Sequence, residues 1–281
     1  MAGYSLHIGL NSVDPNHYDG WDGALNACEN DMHTMANLAS SAGFENLGKL
    51  RTTAATRDNV LRHIRVAAEK TQKGDIFMIT YSGHGGKVPD LVEPDDFGDD
   101  ETWCLFDGQL MDDELVRAWA AFVEGCRILI ISDSCYSGGM EKMAFGGSAD
   151  GFSYGPDVRV RRAPATILQN TYFANRKFYE GLQEVTKQAL GDVSEAQIKA
   201  SMQSTGLLLA ACQDFELSYE NPFGGFFTTA LVKTWNYGRF EGNYDDFRNR
   251  VASEIPSYQN PTNKAFGKNT NIFPFEKPFS I

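Results

Sequence analysis

The sequence predicts an α/β fold with a mostly parallel central sheet and helices on both of its faces. Residues 75–80 and 127–132 are nearly continuous apolar runs rich in β-branched side chains, which is typical of strands covered on both faces. Helical patterns alternate with such strands along the chain, and this order implies parallel βαβ units. A chain of 281 residues is long enough for one large domain with its own core.

The individual elements follow from apolar periodicity and from the polar or glycine residues that bound each run. Thr56 and Asp58, for example, mark a helix start, and Val60 and Ile64 then share one apolar face. The longest connections are a polar loop before residue 112 and a Gly-, Ser- and Arg-rich stretch at 140–166, which we predict to be mobile. In chain order we predict strands at residues 4–10, 47–51, 75–80, 127–132 and 206–212, and helices at residues 24–42, 56–71, 112–123, 171–190 and 194–204.

Two short turns after buried strands carry residues with catalytic chemistry. His84 lies in Ser-Gly-His-Gly after the strand at 75–80, and Cys135 lies in Asp-Ser-Cys-Tyr-Ser-Gly after the strand at 127–132. Both side chains would emerge at the carboxyl edge of a parallel sheet, where α/β proteins bind ligands. Either residue alone could be structural, since most cysteines are packing residues. Together they predict an activated thiol nucleophile, and therefore a cysteine hydrolase.

These turns resemble those of the caspase-like cysteine peptidases, specifically the metacaspase and prokaryotic orthocaspase branch of peptidase family C14. The interval from His84 to Cys135 is similar to the spacing of about 50 residues in caspases. Tyr136, where many eukaryotic members have histidine, is more similar to the prokaryotic branch. Further segments resemble metacaspases over nearly the whole chain, at residues 26–31, 111–115, 211–214 and 225–228.

The resemblance implies a caspase-like (caspase-hemoglobinase) fold in a single peptidase domain over residues 1–281. Residues 1–139 match the large-subunit-like part with the catalytic dyad, 140–205 a loop and helical insertion, and 206–281 the small-subunit-like part. The implied activity is that of a cysteine endopeptidase, a thiol protease acting through a Cys–His dyad and a thioester acyl-enzyme. A catalytically idle caspase-fold interaction module and a Cys–His amidase of other specificity remain open as alternatives.

The mechanism expected from these positions assigns a role to each group. Cys135 would attack the scissile carbonyl as thiolate, and a neighbouring imidazolium favours that form of a thiol. His84 would protonate the leaving amine and later activate water. The backbone N–H groups of Gly85 and Cys135 would hold the oxyanion. Nothing in the sequence identifies a third side chain that orients His84, so we expect a dyad.

Substrate choice is expected to depend on two acids, one near the start of the chain and one just before Cys135. Caspases proper grip aspartate with arginines, one of them in the loop after the first strand, but here the first basic residue is Lys49. In metacaspases, the positions of Asp31 and Asp133 line a pocket for Arg or Lys, and Cys28 and Ser82 match other pocket positions. Planar bidentate geometry favours Arg over Lys. Alternatively, Asp31 is a polar residue of the first helix and Asp133 a hydrogen-bonding residue at a strand end.

Acids between the two turns raise the question of calcium. Asp99, Asp112 and Asp113 match ligands of calcium-dependent metacaspases, and a hard cation prefers such oxygen ligands. A further ligand position after the nucleophile is occupied by Lys142, however, which would repel a cation. We therefore expect no required cofactor and leave calcium activation open.

The predicted loop at 140–166 also contains a candidate self-cleavage sequence. Arg159, Arg161 and Arg162 lie close together there and would suit an enzyme that cuts after arginine. The simpler interpretation is a solvated basic loop.

Composition narrows the expected partners and compartment. The net charge of −12 argues against nucleic acid and suits protein or peptide substrates with basic residues, although a solvated acidic surface also explains it. Five scattered cysteines argue for a reducing compartment. The N-terminal residues lack a signal-peptide pattern and no apolar run approaches a membrane span, so we predict a cytoplasmic protein without membrane partners.

Overall fold

The structure, a computed structural model, describes residues 1–89, 99–135, 157–190, 195–214 and 216–281. The strands in chain order are β1 (Gly3–Gly9), β2 (Glu45–Arg51), β3 (Ile76–Ser82), β4 (Gly85–Pro89), β5 (Asp99–Leu105), β6 (Gly108–Met111), β7 (Arg127–Asp133), β8 (Arg159–Val160), β9 (Thr205–Ala210), β10 (Tyr219–Asn221), β11 (Gly224–Gly225) and β12 (Thr262–Gly267). The helices are α1 (Cys28–Ser41), α2 (Arg57–Lys70), α3 (Asp112–Ala120), α4 (Ala165–Ala174), α5 (Arg176–Leu190), α6 (Glu195–Ser201), α7 (Phe226–Trp235) and α8 (Tyr244–Ala252).

A six-stranded sheet in the order β12-β9-β7-β3-β1-β2 forms the centre of the molecule. Its first five strands in the chain are mutually parallel, and only the edge strand β12 is antiparallel to its neighbour. Strand β3 is buried along its whole length, and β7 is buried from Ile128 onward. The apolar runs in the sequence therefore correspond to the two central strands, as expected for strands covered on both faces.

Helices cover both faces of this sheet. One core cluster contains Ile64 of α2 and Trp119 of α3, which pack with Ile79 of β3. The opposite cluster contains Met35 of α1 and Leu231 of α7. This two-sided burial confirms the predicted α/β fold class with a mostly parallel sheet.

The polar loop predicted before residue 112 instead contains a second, antiparallel sheet in the order β4-β5-β6. Acidic residues hide the strand signal here, but Trp103 of β5 is buried and stacks on Tyr81 with ring centroids 4.6 Å apart. The predicted helix at 171–190 is in fact two helices, α4 and α5, which meet at Asn175. Local periodicity continues across this break, so it does not appear in the pattern.

The predicted mobile loop at 140–166 also requires correction in its described part. Residues Arg159–Val160 form strand β8, which pairs antiparallel with β10, and α4 begins at Ala165. A strand of this length has no signal of its own in the sequence, since its pairing partner is distant in the chain. The division of the domain at residues 139 and 205 remains a prediction.

Register determines where the two turns meet. Ser82 at the end of β3 is paired with Asp133 at the end of β7. His84 and Cys135 each follow these paired residues by two positions, so the turns lie side by side at the carboxyl edge of the sheet. Among the helices of the described ranges, none is long and apolar enough to cross a bilayer.

Close packing at the end of β1 gives a test of this arrangement. A Cβ atom on Gly9 would lie 2.3 Å from the Cys28 carbonyl oxygen and 2.8 Å from Met32 Cβ. We therefore expect Gly9→Ala to lower the free energy of unfolding by about 1–3 kcal/mol. Gly181→Ala is the control, because an added Cβ in α5 meets nothing within 4 Å; it should raise stability by about 0.5–1 kcal/mol. Urea denaturation of both variants measures the free energy of unfolding. Equal changes in the two variants would contradict the close packing at Gly9.

Candidate active site

The turn after β3 holds His84 in a buried position. The Tyr81 hydroxyl donates to the His84 carbonyl oxygen at 2.7 Å, and the Cys104 N–H donates to the same oxygen at 3.0 Å. The imidazole Nε2 lies 3.0 Å from the Gly23 carbonyl oxygen. The Trp21 ring lies beside the imidazole, with centroids 4.8 Å apart. A backbone carbonyl therefore orients His84, which explains why no orienting side chain was evident from the sequence.

This contact fixes the tautomer of His84. A carbonyl only accepts hydrogen bonds, so Nε2 carries the proton and Nδ1 keeps its lone pair. Nδ1 is buried and has no hydrogen-bond partner within the described ranges. Burial lowers the pKa of His84 to about 4, although the bond to Gly23 opposes this shift. In this buried position His84 is neutral at pH 7. It is therefore a base, whereas the sequence had led us to expect an imidazolium.

Cys135 lies buried at the end of β7. The Ser218 N–H donates to Cys135 Sγ at 2.7 Å. A second thiol, that of Cys212, follows the neighbouring strand β9, and the nearby Cys135 thiol together with burial raises the pKa of Cys212. The role of these two neighbours was not predicted, because only the fold brings Cys212, after β9, and Ser218, before β10, together with Cys135.

Two carboxylates, those of Asp31 on α1 and Asp133 on β7, line one buried pocket beside Cys135. The Ser82 hydroxyl donates to Asp31 Oδ2 at 2.9 Å, and the Gly225 N–H lies 3.1 Å from both Asp31 oxygens. The Thr228 hydroxyl and N–H bind Asp133 Oδ2 at 2.7 Å and 3.1 Å. The sheet therefore brings together the two acids and Ser82, which the sequence had suggested as pocket residues.

The chain's own Arg161 fills this pocket. Arg161 Nη2 lies 2.5 Å from Asp31 Oδ2 and 3.1 Å from Glu220 Oε2, and Nη1 lies 2.9 Å from Asp133 Oδ2. Its side chain is fully buried, so the interpretation of residue 161 as part of a solvated basic loop is wrong. Cys28 is also buried here, with Sγ 3.6 Å from Glu220 Oε2.

Three carboxylates around one guanidinium determine the electrostatics of the pocket. Burial lowers the pKa of Arg161, but the nearby acids, Asp133 foremost, more than reverse this, so the guanidinium remains charged. Burial and the neighbouring Asp133 raise the pKa of Asp31 despite the contact with Arg161. The cluster therefore has an excess of negative charge around a single cation.

The backbone of Arg161 is held as firmly as its side chain. Its carbonyl oxygen accepts from the Gly85 N–H and the Cys135 N–H, both at 3.2 Å, and its own N–H donates to the Ser218 carbonyl oxygen at 2.9 Å. A Cβ atom on residue 85 would lie 2.0 Å from the Cys135 carbonyl oxygen, so only glycine fits there. The two N–H groups suggested for the oxyanion hole thus converge on one carbonyl oxygen.

The residues on either side of Arg161 are also paired with neighbouring backbone, as in a β-strand. In the β8–β10 pairing, Val160 is opposite Tyr219, and Arg159 is opposite Glu220. Arg159 Nη1 also donates to the Ala24 carbonyl oxygen at 2.7 Å. On the other side, the Ala163 N–H donates to the Gly85 carbonyl oxygen at 3.0 Å, and Arg162 forms a bridge with Gly85. The segment therefore runs through the site as an added strand.

The residues suggested for calcium do not form a cluster in the described part of the chain. Asp112 and Asp113 begin α3, and Asp99 begins β5 with its side chain outside the described part. Within the described ranges, no group of three or more His, Cys, Asp or Glu side chains could hold a metal ion. Tyr136 and Lys142 lie outside the described residues.

Glu220, Ser218 and Gly23 are the main site residues that sequence reasoning missed. Glu220 belongs to the short strand β10, and Ser218 directly precedes that strand. Gly23 acts through its backbone carbonyl oxygen. The stretch 211–214 had been noted for its resemblance, but without a role. The only sign of Glu220 in the sequence was its acidic side chain, which comes shortly after residues 211–214.

A buried thiol and imidazole at the carboxyl edge of a parallel sheet, beside an acidic pocket, define a caspase-like class of site. The caspase domain model of peptidase family C14 matches residues 13–270, so the chain belongs to this family. The predicted family is thereby confirmed.

Solved structures and curated proteins agree with this assignment. A crystal structure of a protein from Geobacter sulfurreducens is 42% identical, covers 100% of this chain and 99% of its own, and superposes with a TM-score of 0.86. Caspase-1 of Spodoptera frugiperda, at 12% identity and a TM-score of 0.56, covers 94% of this chain and 86% of its own, and shows the same fold.

The curated relatives are metacaspases. Metacaspase-4 of Arabidopsis thaliana is 36% identical over 150 residues, which are 50% of this chain and 34% of that protein. Metacaspase-1 of Schizosaccharomyces pombe is 28% identical over 250 residues, which are 81% of this chain and 57% of that protein. The chain thus spans less than two thirds of the length of these relatives.

Removing the cation from the pocket should reveal the excess of negative charge. We expect Arg161→Ala to lower the free energy of unfolding at pH 7 by about 3–5 kcal/mol, because it leaves buried carboxylates uncompensated. The loss should shrink as pH falls from 7 toward about 4, because Arg161 lowers the pKa of Asp31 and its removal leaves burial to raise that pKa further in the folded variant. The folded variant then takes up a proton more readily than its unfolded chain and regains stability. Urea denaturation across this range measures the change.

Arg127→Ala provides the control, because Arg127 pairs with the single, partly buried acid Glu276. The Arg127→Ala variant should lose less stability than Arg161→Ala, and its loss should depend less on pH. An equal loss at pH 7 and pH 5 for Arg161→Ala would contradict the charge excess.

Proposed function

We propose that the protein is a cysteine endopeptidase that hydrolyses peptide bonds after arginine. The observation that supports this is the binding of Arg161 in the manner of a substrate residue. Its guanidinium lies among three acids, its carbonyl oxygen lies between the Gly85 and Cys135 N–H groups, and its backbone is paired with β10. Strand addition of this kind is a common way of recognising an extended peptide.

The proposed reaction begins with proton transfer from the Cys135 thiol to His84 Nδ1, the ring nitrogen with a free lone pair. Cys135 Sγ then bonds to the substrate carbonyl carbon, and the negative oxygen is stabilised by the N–H groups of Gly85 and Cys135. The imidazolium returns its proton to the leaving amine as the C–N bond breaks, which leaves a thioester. His84 next takes a proton from water, and the resulting hydroxide attacks the thioester carbonyl carbon. The C–S bond then breaks, the carboxylic acid is released, and the Cys135 thiolate regains its proton from the imidazolium.

The pocket supports a preference for arginine over lysine and the exclusion of aspartate. A guanidinium presents donors on separate nitrogens, whereas an ammonium is a compact point charge. The carboxylates Asp31 and Asp133 would repel an acidic side chain. Substrates are therefore proteins or peptides with exposed arginine and, less favourably, lysine.

The same geometry supports self-processing between Arg161 and Arg162. Arg161 is the residue whose carbonyl oxygen contacts both N–H groups, so the following bond is the one presented to Cys135. While the chain is intact, this segment also covers the site against other substrates. Arg159 and Arg162 lie on either side of the bound residue and outside its pocket.

We propose that the dyad needs no cofactor, since each proposed step uses side chains and backbone groups of the chain. Calcium activation remains a separate proposal, through Asp99, Asp112 and Asp113. The five free cysteines support a reducing compartment such as the cytoplasm. Neither nucleic acid nor a membrane is proposed as a partner.

Specificity is tested with peptide reporters that end in Arg, Lys, Asp or Ala, each with calcium or with a chelator. Arg should be cut fastest, Lys more slowly and Asp not at all. Cys135→Ala and His84→Ala should abolish cleavage of every reporter. Asp31→Ala or Asp133→Ala should lower Arg cleavage by roughly 30-fold to several thousand-fold, since losing one member of a buried charge pair costs roughly 2–5 kcal/mol.

Reaction with iodoacetamide provides the control, because the aspartate variants should still be alkylated at Cys135. Efficient cutting after Asp, or Arg cleavage that both aspartate changes leave untouched, would refute the arginine pocket. Inertness toward all reporters together with no cleavage between Arg161 and Arg162 would favour the interaction module, and cleavage of simple amides alone would favour the amidase.

Self-processing is tested by the intact mass of the incubated protein. The wild type should yield fragments that separate between Arg161 and Arg162, because the scissile bond is already positioned. Cys135→Ala and Arg161→Ala should stay full length. Arg176→Ala, which removes an exposed arginine of α5, should be cleaved as the wild type is. Equal clipping of the wild type and Cys135→Ala would rule the idea out.

A further inference from the structure

The chain beyond Arg161 is held at the site as well, on the side from which a leaving amine would depart. The Ala163 N–H donates to the Gly85 carbonyl oxygen at 3.0 Å, while the Gly85 N–H donates to the Arg161 carbonyl oxygen at 3.2 Å. One residue of the catalytic turn therefore contacts the chain on both sides of the bond between Arg161 and Arg162. Pro164 follows, and the residue before a proline favours extended backbone. These contacts fix the second residue after the proposed cut relative to the nucleophile.

The side chain of Ala163 is buried among apolar neighbours. It is 2% exposed and belongs to a small cluster with Val13, Tyr18, Cys104 and Leu168. Leu168 of α4 comes from beyond the proposed cut. The other three neighbours precede the cut, in the loop between β1 and α1 and in β5. We call Val13, Tyr18 and Cys104 the leaving-side subsite.

Contacts outside the bound segment hold the leaving-side subsite in place. The Tyr18 hydroxyl donates to the Leu105 carbonyl oxygen at 2.8 Å, and the Val13 N–H donates to a carbonyl oxygen of its own loop at 2.8 Å. The Cys104 N–H donates to the His84 carbonyl oxygen at 3.0 Å, which ties the subsite to the turn of the proposed proton donor. None of these three bonds involves a residue beyond 160, so they remain when the segment is displaced.

We propose that the leaving-side subsite recognises the second residue after the cleaved bond and takes a small apolar side chain, an inference that rests on the arginine-directed activity proposed above. Its occupant in the chain itself is the single methyl group of Ala163. A larger side chain would overpack the cluster. A charged one would be buried without a partner. Substrates are therefore read on both sides of the bond, with arginine before it and a residue such as alanine two positions after it.

The kinetic test uses internally quenched peptides based on residues 158–164, with glutamine in place of Arg159 and Arg162 so that one arginine remains. The position of Ala163 carries Ala, Leu or Asp. We expect kcat/KM to be at least about tenfold lower with Leu or Asp than with Ala. The chain's own segment competes with all three peptides alike, so its presence does not change these ratios.

A variant of the subsite tests the size limit directly. Val13→Ala removes two methyl groups from the wall and should raise the Leu-to-Ala ratio of kcat/KM at least about threefold. Val66→Ala is the matched control, because Val66 is an exposed valine of α2; it should leave the ratio unchanged. The ratio is taken within each variant, so a general loss of activity cancels.

The chain's own cut provides a second test. Ala163→Asp should slow the appearance of the two fragments, followed by intact mass, at least about tenfold. Ala165→Asp is the matched control, because Ala165 is exposed at the first position of α4; it should be cleaved at the wild-type rate. Equal slowing in both variants would indicate a general disturbance of the segment and would count against the subsite.

A binding test separates this inference from peptidase activity. Cys135→Ala combined with Arg161→Ala removes the nucleophile and the bound arginine, so the affinity of the same peptides can be measured by calorimetry. The Ala peptide should bind at least about tenfold more tightly than the Asp peptide. Circular dichroism checks folding, and if this variant unfolds, the kinetic ratios decide.

The possible outcomes are distinct. If the three peptides are cleaved and bound equally, Ala163 only packs the chain's own segment and the inference is overturned, while cleavage after arginine stands. If the wild type cleaves no peptide but the Ala peptide still binds selectively, the proposed activity fails and the subsite stands.

Discussion

The buried contact between the Arg161 guanidinium and its three carboxylates connects more of the structure than any other interaction in the site. Asp31 comes from α1, Asp133 from β7 and Glu220 from β10, so the acids meet only when three distant segments are in place. Burying a lone charge is costly, and burying three like charges together is costlier. A cation at their centre offsets that cost. The pocket is thus held together electrostatically by a group that a substrate would also supply.

The parallel sheet makes this convergence possible. Its register places the ends of β3 and β7 at the same level, and both turns continue from there. Backbone atoms then do much of the positioning: the Gly23 carbonyl oxygen sets the tautomer of His84, and the N–H groups of Gly85 and Ser218 face the Arg161 carbonyl oxygen and Cys135 Sγ respectively. Such groups are present at nearly every residue, so only the fold gives them a specific role.

This explains which parts could be predicted from the sequence. The central strands, most helices and the pairing of the two turns follow from apolar runs and strand-end chemistry, which are local signals. The bound segment could not be predicted, because β8 is stabilised by β10 some 60 residues later and by burial of Arg161. Strand β5 was missed because acidic residues stand beside a few buried anchors such as Trp103. Glu220 was missed because its importance arises from the start of α1, nearly 200 residues earlier in the chain.

The covalent connection between Cys135 and Arg161 has a further consequence. A segment joined to the nucleophile through residues 136–160 competes for the pocket as an intramolecular ligand, so its competition does not weaken when the protein is diluted. Cleavage after Arg161 would not release it, since the new carboxyl terminus would still be attached through the same residues. A freely diffusing substrate would face a resident competitor both before and after that cut. Full turnover on other proteins would then require a second event that cuts this connection or displaces the segment from the pocket. A single cleavage would act as the first of two steps.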